Sequence, residues 1–340
     1  MKKLLFIGFD FHKRTGSVQF LLRIFESEYD VEICYVDLLG KTPWTALSRI
    51  KERDVDTLVC FQVMPPRSEL NQNITFKHGV FFPMFDGCPN IKKPEKWYPF
   101  RDFQIISFSK TLDNQLRSIG LCSHAIQYFP KPIKPSDFGK IDSLFFWNRR
   151  EKINVNTVAC LLKDSGIKNV HVHKVLDPGN IFVEPDDENC QYSFSSWYET
   201  REEMQADMQS AALYMAPREK EGIGMSFLEA MAMGRCVVAP DYPTMNEYIK
   251  HGETGYLYNL KKPKNLQIKN VREMQKNVIQ YMEKGYEEWE SRKMDILKWS
   301  REPVKIFRIK LAKALFLRFL RNPYKLTKFL IWASKNERRV

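Results

Sequence analysis

The 340-residue chain has no C-x-x-C pair, no internal repeat and no low-complexity tract. It also has no apolar run near the roughly 18 to 20 residues that a membrane span needs. These absences argue against a zinc ribbon, a thioredoxin-type redox site, a solenoid and an integral membrane protein. The seven cysteines are odd in number and widely spaced. Most lie in apolar runs such as "VEICYV" (Cys34), "LVCFQV" (Cys60) and "RCVVAP" (Cys236), which predicts small buried thiols in a reducing compartment. The six histidines are scattered. His171 and His173 share a strand face in "HVH", with no carboxylate or cysteine at metal-ligand spacing, so no metal site is expected.

Charge is unevenly spread. The formal net charge is +12, and residues 301–340 hold twelve Lys/Arg against Glu302 and Glu337, leaving the rest near neutral. The N-terminal "MKKLLFIGFDF" ends its apolar stretch at Asp10 and continues with His12, Lys13 and Arg14, which reads as a first buried strand rather than a signal peptide.

Short β-rich runs alternate with helical patterns from "KLLFIGF" to "KTLDNQLRSIG", including a helix around Trp44 to Glu52. This rhythm implies parallel strands in an α/β layer architecture. Pro130, Pro132 and Pro135 in "YFPKPIKPSDFGKID" suggest a linker. The rhythm then restarts at "SLFFWNRR" and runs to "CVVAPD", interrupted by an irregular acidic loop, "LDPGNIFVEPDDENCQYSFSS". From about Asn265 helices follow, with breaks expected at Gly285 and Pro303. The expected domains are 1–132, 133–290 and a helical, basic 291–340.

The segment "PREKEGIGMSFLEAMAMGRCVVAPD" is the richest in chemistry. "ALYMAP" reads as a strand, "REKEGIGM" as a turn and "SFLEAMAM" as a helix stopped by Gly234. Ligands of open parallel sheets collect outside the carboxyl ends of strands, where the next helix offers unpaired N–H groups to an anion. Gly222 and Gly224 let the backbone approach such a ligand, and a pyrophosphate is the natural occupant. Glu221 before the turn and Glu229 on the helix flank that position as acceptors for hydroxyls, the layout of a nucleotide sugar, each charged bond contributing roughly 1.5 to 3 kcal/mol. Taken singly, either glutamate is also what the helix macrodipole favours.

From Glu221 to Gly234 the chain resembles the donor-site motif of retaining glycosyltransferases with two Rossmann-like domains (GT-B), in particular glycosyltransferase family 4: Glu-Gly-aliphatic-Gly, three residues, then Leu-Glu-Ala-Met-Ala-x-Gly. "VVAPDYPTMNEYIKHGETGYLYN" resembles the following segment, with Glu247 in place and Thr244 to Asn246 standing where a glycine pair is usual. "FFWNRREKIN" resembles the basic strand end that opens the second domain, in compressed form. The resemblance implies two Rossmann-like domains facing a cleft. It further implies that Arg149 and Lys152 clamp the diphosphate, with Arg150 able to replace either. Gly222, Ile223, Gly224, Met225 and Ser226 would line the donor, and Gly16 in "FDFHKRTGSV" would lie nearest its phosphates. Asp86 in "VFFPMFDG" would face the sugar, although an aspartate before glycine is commonly a turn residue. The basic residues 149–152 also read as a solvated helix start.

The expected reaction is metal-free, with no cofactor beyond the nucleotide-sugar donor. The diphosphate leaves as an acceptor hydroxyl on a glycan or lipid-linked acceptor attacks the same face. Residues 304–340 add a basic amphipathic pattern: on a helical wheel Ile309, Ala312, Leu315, Phe316, Phe319 and Leu320 gather on one face and Lys310, Lys313, Arg318 and Arg321 on the other. That suits an anionic membrane surface and peripheral attachment on the cytoplasmic side, or packing onto the first domain. No nucleic-acid recognition motif is present. The expected role is cell-surface polysaccharide assembly. A nucleotide-sugar epimerase of the same fold and a non-catalytic nucleotide-sugar or membrane-binding partner are the alternatives.

Overall fold

A computed structural model of the chain describes residues 1–37, 40–134, 137–305, 308–319 and 323–335. Pro135 of the expected linker, Leu320 and Arg321 of the expected tail wheel, and residues 336–340 fall outside these. The chain forms two compact units, residues 1–127 with 290–340 and residues 128–289.

The first unit begins with β1 (Lys2–Phe9), α1 (Phe11–Thr15), α2 (Gln19–Glu26), β2 (Tyr29–Val36), β3 (Asp54–Phe61), α3 (Arg67–Asn73), β4 (Thr75–Phe82), β5 (Gln104–Ser107), α4 (Lys110–Ser118) and β6 (Ser123–Ala125). Its sheet runs β2-β1-β3-β4-β5-β6, with every neighbouring pair parallel. Central strands read as continuous apolar runs because both faces are covered, and Leu4 to Ile7 of β1 are buried throughout. The expected helix around Trp44 is a 3-10 turn, Pro43–Arg49.

The second unit contains β7 (Lys140–Asn148), α5 (Val155–Leu162), β8 (Asn169–Lys174), β9 (Gln191–Ser195), α6 (Arg201–Ser210), β10 (Ala211–Met215), α7 (Met225–Ala232), β11 (Cys236–Pro240), β12 (Gly255–Tyr258) and all but the last turn of α8 (Val271–Arg292). Its order is β12-β11-β10-β7-β8-β9, again parallel. The architecture expected from sequence, two Rossmann-like domains with a helical C-terminal part, is the one observed, and each domain has a six-stranded parallel sheet. Side-chain caps start α5 and α6: Asn154 accepts from Thr157 N–H at 3.1 Å, and Thr200 from Glu203 N–H at 3.2 Å. The acidic segment expected to be irregular ends in β9, an edge strand on β8. Its pattern was hard to read because Gln191 and Ser193 are exposed and only Tyr192 and Phe194 supply apolar alternation.

After α8 the chain continues with α9 (Asp295–Arg301), α10 (Arg308–Phe319) and α11 (Pro323–Lys335), all counted with the first unit. Arg301 of α9 donates to the Tyr29 hydroxyl at 3.0 Å, and Trp299 stacks on His124 with centroids 4.6 Å apart. The expected break at Gly285 is absent, since α8 runs straight through it. Glycine is there for space: a Cβ would sit 2.3 Å from the Phe129 ring. The helix yields instead at Lys293 and Met294, before α9.

In the tail, Leu311 and Phe319 are buried and Leu315 half-buried, whereas Ile309, Ala312 and Phe316 of the expected apolar face are exposed. Phe319 and Phe329 stack and pack with Tyr98, Leu315 and Leu326. The buried seam therefore follows an i, i+4, i+8 row rotated from the wheel's face.

Gly285→Ala tests the packing at Phe129. Overpacking costs roughly 1–3 kcal/mol, more than the helix-propensity gain of about 1 kcal/mol. The thermal midpoint should fall, and Phe129→Leu in the same chain should restore part of it.

Candidate functional site

In each sheet the strand order reverses once. In the second it does so between β7 and β10, because β7, β8 and β9 build outward one way and β10, β11 and β12 the other. Such a reversal opens a crevice at the carboxyl ends of the two strands. The loop after β7 carries Arg149, Arg150 and Lys152, and the loop after β10 carries residues 217–224. The topology therefore brings together the two segments that sequence had marked separately.

Gly224 makes the second loop possible. It holds φ +86° as the N-cap of α7, and a Cβ would lie 1.9 Å from the Phe227 ring. The first helical bond runs from Leu228 N–H to the Gly224 carbonyl at 3.0 Å. The N–H groups of Met225 and Ser226 therefore belong to the turn of α7 that has no intrahelical acceptor. Thr244 ties the next loop on: its buried hydroxyl donates to the Glu221 carbonyl at 2.9 Å and the Gly222 carbonyl at 3.3 Å. This is the structural use of the residues that replace the glycine pair, and it brings the 3-10 turn Met245–Glu247, with half-buried Glu247, beside the Glu221 turn.

Cations and carboxylates alternate around this crevice. Arg149 donates through Nε and Nη2 to Asp177 Oδ1 at 3.0 and 2.7 Å and lies over the Trp147 ring. Arg150 donates to Asp177 Oδ2 at 2.8 Å, while Lys152 pairs with Glu219. The two arginines hold the Asp177 carboxyl below its ordinary range against the opposing effect of burial. Glu221 is buried, with Arg218 at 3.6 Å from its carboxylate. Glu229 accepts from Arg201 at 2.6 Å; burial raises its pKa and the Arg201 charge opposes the rise. Tyr214, fully buried on β10, has Ser226 and the charges of Glu221, Arg149 and Glu229 acting on its hydroxyl, and burial pushes its pKa up. Four of the sequence-marked residues of this unit, Arg149, Glu221, Ser226 and Glu229, thus lie near one buried phenol.

Asp177, Arg201, Arg218 and Tyr214 were not among the residues expected from sequence. Arg218 sat inside the quoted turn, and "LDPG" at Asp177 carries a turn signal that could have suggested an ordered anchor. Arg201 gives no sign of its role, since it lies at the start of a helix remote in sequence from Glu229.

The first sheet reverses between β1 and β3. After β1, Gly16 closes α1 at φ +62° and donates to the His12 carbonyl at 2.9 Å. His12 is buried, with Nδ1 2.8 Å from Ser17 Oγ and its ring edge-on to Phe61, the last residue of β3, after which Gln62 holds φ +62°. Asp86 lies in the turn after β4, half-buried, and a Cβ on Gly87 would meet the Gln62 amide at 3.7 Å. Gly16 and Asp86 therefore share one sheet edge, with His12 and Gln62 between them. Among the described residues no group of three His, Cys, Asp or Glu side chains gathers as a metal site.

His171 and His173 belong to a separate polar network. His171 pairs with Ser193 and Ser195 at 2.9 Å each, His173 with Ser195 at 3.0 Å, and Tyr198 stacks on His173 while donating to Asp207 at 2.6 Å. Burial lowers the pKa of His12 and of His173 to about 4 in each case. A histidine whose folded pKa lies below its unfolded value near 6.5 binds its proton more readily when unfolded. Stability should therefore be full above pH 6.5 and fall as the pH drops from 6.5 through 4, with Glu229 opposing weakly. Thermal midpoints across pH 4–7 check this, and His173→Asn should flatten the slope.

Residues 187–276 match the family described as "Glycosyl transferases group 1". No curated protein matches the chain. Among solved structures, sucrose-phosphate synthase from Thermosynechococcus elongatus superposes with a TM-score of 0.62 at 10% identity, over 88% of this chain and 98% of that one. Anabaena Alr3699/HepE in complex with UDP gives 0.55 at 13% identity, over 84% and 95%. The lipopolysaccharide outer core galactosyltransferase WaaB, in its apo form, gives 0.51 at 14% identity, over 83% and 90%. The chain thus has the GT-B fold, and residues 187–276 of its second unit are similar to the glycosyl transferases group 1.

Proposed function

We propose that the chain is a retaining glycosyltransferase that moves a sugar from a nucleoside-diphosphate donor to a glycan or lipid-linked acceptor. The observation that carries this reading is the Gly224-capped turn at the β7/β10 reversal, which presents helix N–H groups between Glu221 and Glu229. A diphosphate fits that position, accepting from the N–H groups of Met225 and Ser226. Arg149, Arg150 and Lys152 then supply the positive charge that stabilises the leaving diphosphate. Side chains and a helix dipole neutralise it, so no metal ion or further cofactor enters the scheme.

Glu229 accepts from the ribose diol with the carboxylate that Arg201 orients, and Glu221 and Glu247 hold hydroxyls of the transferred sugar. Ile223 adds apolar contact within the turn. Gly16 and Asp86, at the carboxyl edge of the first unit's own sheet, are the residues that the family resemblance assigns to the phosphates and the sugar. Substitution proceeds on the front face: the bond from the anomeric carbon to the diphosphate oxygen breaks as the acceptor oxygen bonds on the same side, and the acceptor proton passes to the departing phosphate. Supporting the donor class, HepE has been solved with UDP. Supporting a role in cell-surface polysaccharide assembly, WaaB is a lipopolysaccharide galactosyltransferase.

Attachment to the cytoplasmic membrane face is part of the same reading. No described helix is long and apolar enough to cross a membrane. Yet Ile309, Phe316, Leu317, Leu330 and Ile331 of the tail are each more than half exposed, at 86, 57, 59, 56 and 52%. Large apolar side chains in water beside a dense run of Lys and Arg suit an anionic bilayer surface.

Glu221→Gln should lower sugar transfer roughly 100-fold or more while nucleotide-induced thermal stabilisation persists, and wild-type transfer should be unchanged by EDTA. Wild-type turnover in the variant, or a strict manganese requirement, sinks the scheme. A panel of UDP-, GDP-, ADP- and dTDP-sugars scored by thermal shift identifies the donor. Release of nucleotide without added acceptor would point to an epimerase instead. In co-sedimentation with phosphatidylglycerol vesicles, the triple variant Phe316→Ser, Leu330→Ser, Ile331→Ser should lose binding. Equal sedimentation of both proteins would detach the tail from the membrane.

A further inference from the structure

A cavity of about 370 Å³ lies in the first unit, lined by Met64, Pro89, Glu95, Lys96, Pro99 and Phe329. Its volume falls in the range of small-molecule sites. Its position follows from the sheet: Met64 comes three residues after the end of β3, and Pro89 three residues after Asp86 on the loop that leaves β4. The cavity therefore opens among the loops at the same carboxyl edge that carries Asp86.

We infer that this cavity takes the hydrocarbon chain of a phosphate-bearing membrane lipid, the apolar part of a lipid-linked acceptor. The inference deepens the transferase reading and rests on it for the lipid's role as acceptor. Three observations carry it. The walls are a thioether, two proline rings and a phenyl ring, surfaces that gain from burying methylenes and offer nothing to a sugar hydroxyl. The polar lining is limited to Glu95 and Lys96. Glu95 is engaged by Arg318 at 3.4 Å, so Lys96, exposed at the rim, is the lining cation positioned for an anionic head group. Finally, Phe329 belongs to α11, held in place by the Phe319 stack and Tyr98, and the next two residues, Leu330 and Ile331, stand exposed. One helix thus supplies a wall of this open cavity and presents apolar side chains to solvent beside it, so a hydrocarbon chain leaving a bilayer surface would meet apolar groups at the mouth.

The test uses dodecyl phosphate below its micelle threshold, with inorganic phosphate and dodecyltrimethylammonium as comparison probes, on the full chain by thermal shift and equilibrium binding. Dodecyl phosphate should stabilise the protein, and the other two should not. Met64→Trp, which fills the cavity, should weaken dodecyl phosphate binding about tenfold, as expected when two or so methylenes lose their burial. Lys96→Gln, at an exposed position that leaves packing intact, should weaken dodecyl phosphate and leave the response to the cationic probe unchanged, which keeps the test decisive should Met64→Trp fold poorly. Equal stabilisation by inorganic phosphate or by the cationic probe overturns the assignment, as does unchanged dodecyl phosphate binding in Lys96→Gln. A nucleotide-sugar response measured on the same samples separates the two readings. Its absence with dodecyl phosphate binding intact overturns the transferase but not the cavity, and the reverse overturns the cavity alone.

Discussion

The backbone at Gly224 can exist only as glycine, and much of the second unit follows from that. With φ positive and the Phe227 ring beneath it, any side chain would collide with the first turn of α7. The ring in turn fills the core beside Tyr248, so the start of α7 cannot drift without opening the interior. Helix N–H groups are thereby fixed at the point where the sheet reverses direction. Thr244 then fastens the next loop to the same turn through two carbonyls. The result is a rigid frame built from backbone constraints, on which the charged side chains are arranged.

Electrostatics on that frame are arranged in pairs rather than as a bare basic patch. Arg149 and Arg150 share Asp177, Lys152 meets Glu219, Arg218 approaches Glu221 and Arg201 holds Glu229. Half-buried charges left alone would be costly, and pairing offsets the desolvation while fixing side-chain direction. The basic tail is organised differently. Its inward row is committed to Tyr98 and to the stacked phenylalanines, Arg318 reaches Glu95, and Ile309, Phe316, Leu317, Leu330 and Ile331 stand exposed.

Sequence made the architecture legible because parallel strands buried on both faces write continuous apolar runs, and because glycines and prolines mark their ends. The donor-side turn was legible for the same reason: Gly224 and Gly234 each hold a positive φ that favours glycine. What stayed hidden depends on contacts between distant segments. Gly285 looks like a helix break until Phe129 is seen against it, and Arg201 looks like an ordinary helix start until it meets Glu229. The β9 edge strand was lost because an exposed edge needs few apolar residues. The tail's buried row was misjudged by one helical offset, since a wheel shows which residues are apolar but not which side the protein covers.

Asp177 leaves the basic loop no vacant positive hole, because its carboxylate is already gripped by Arg149 and Arg150. On the proposed reading, an incoming anion would have to displace that resident counter-ion. A singly charged inorganic anion would gain little from the exchange, whereas two linked phosphates would hold the helix terminus with one group and contest the arginines with the other, so the loop would act as a filter for diphosphates.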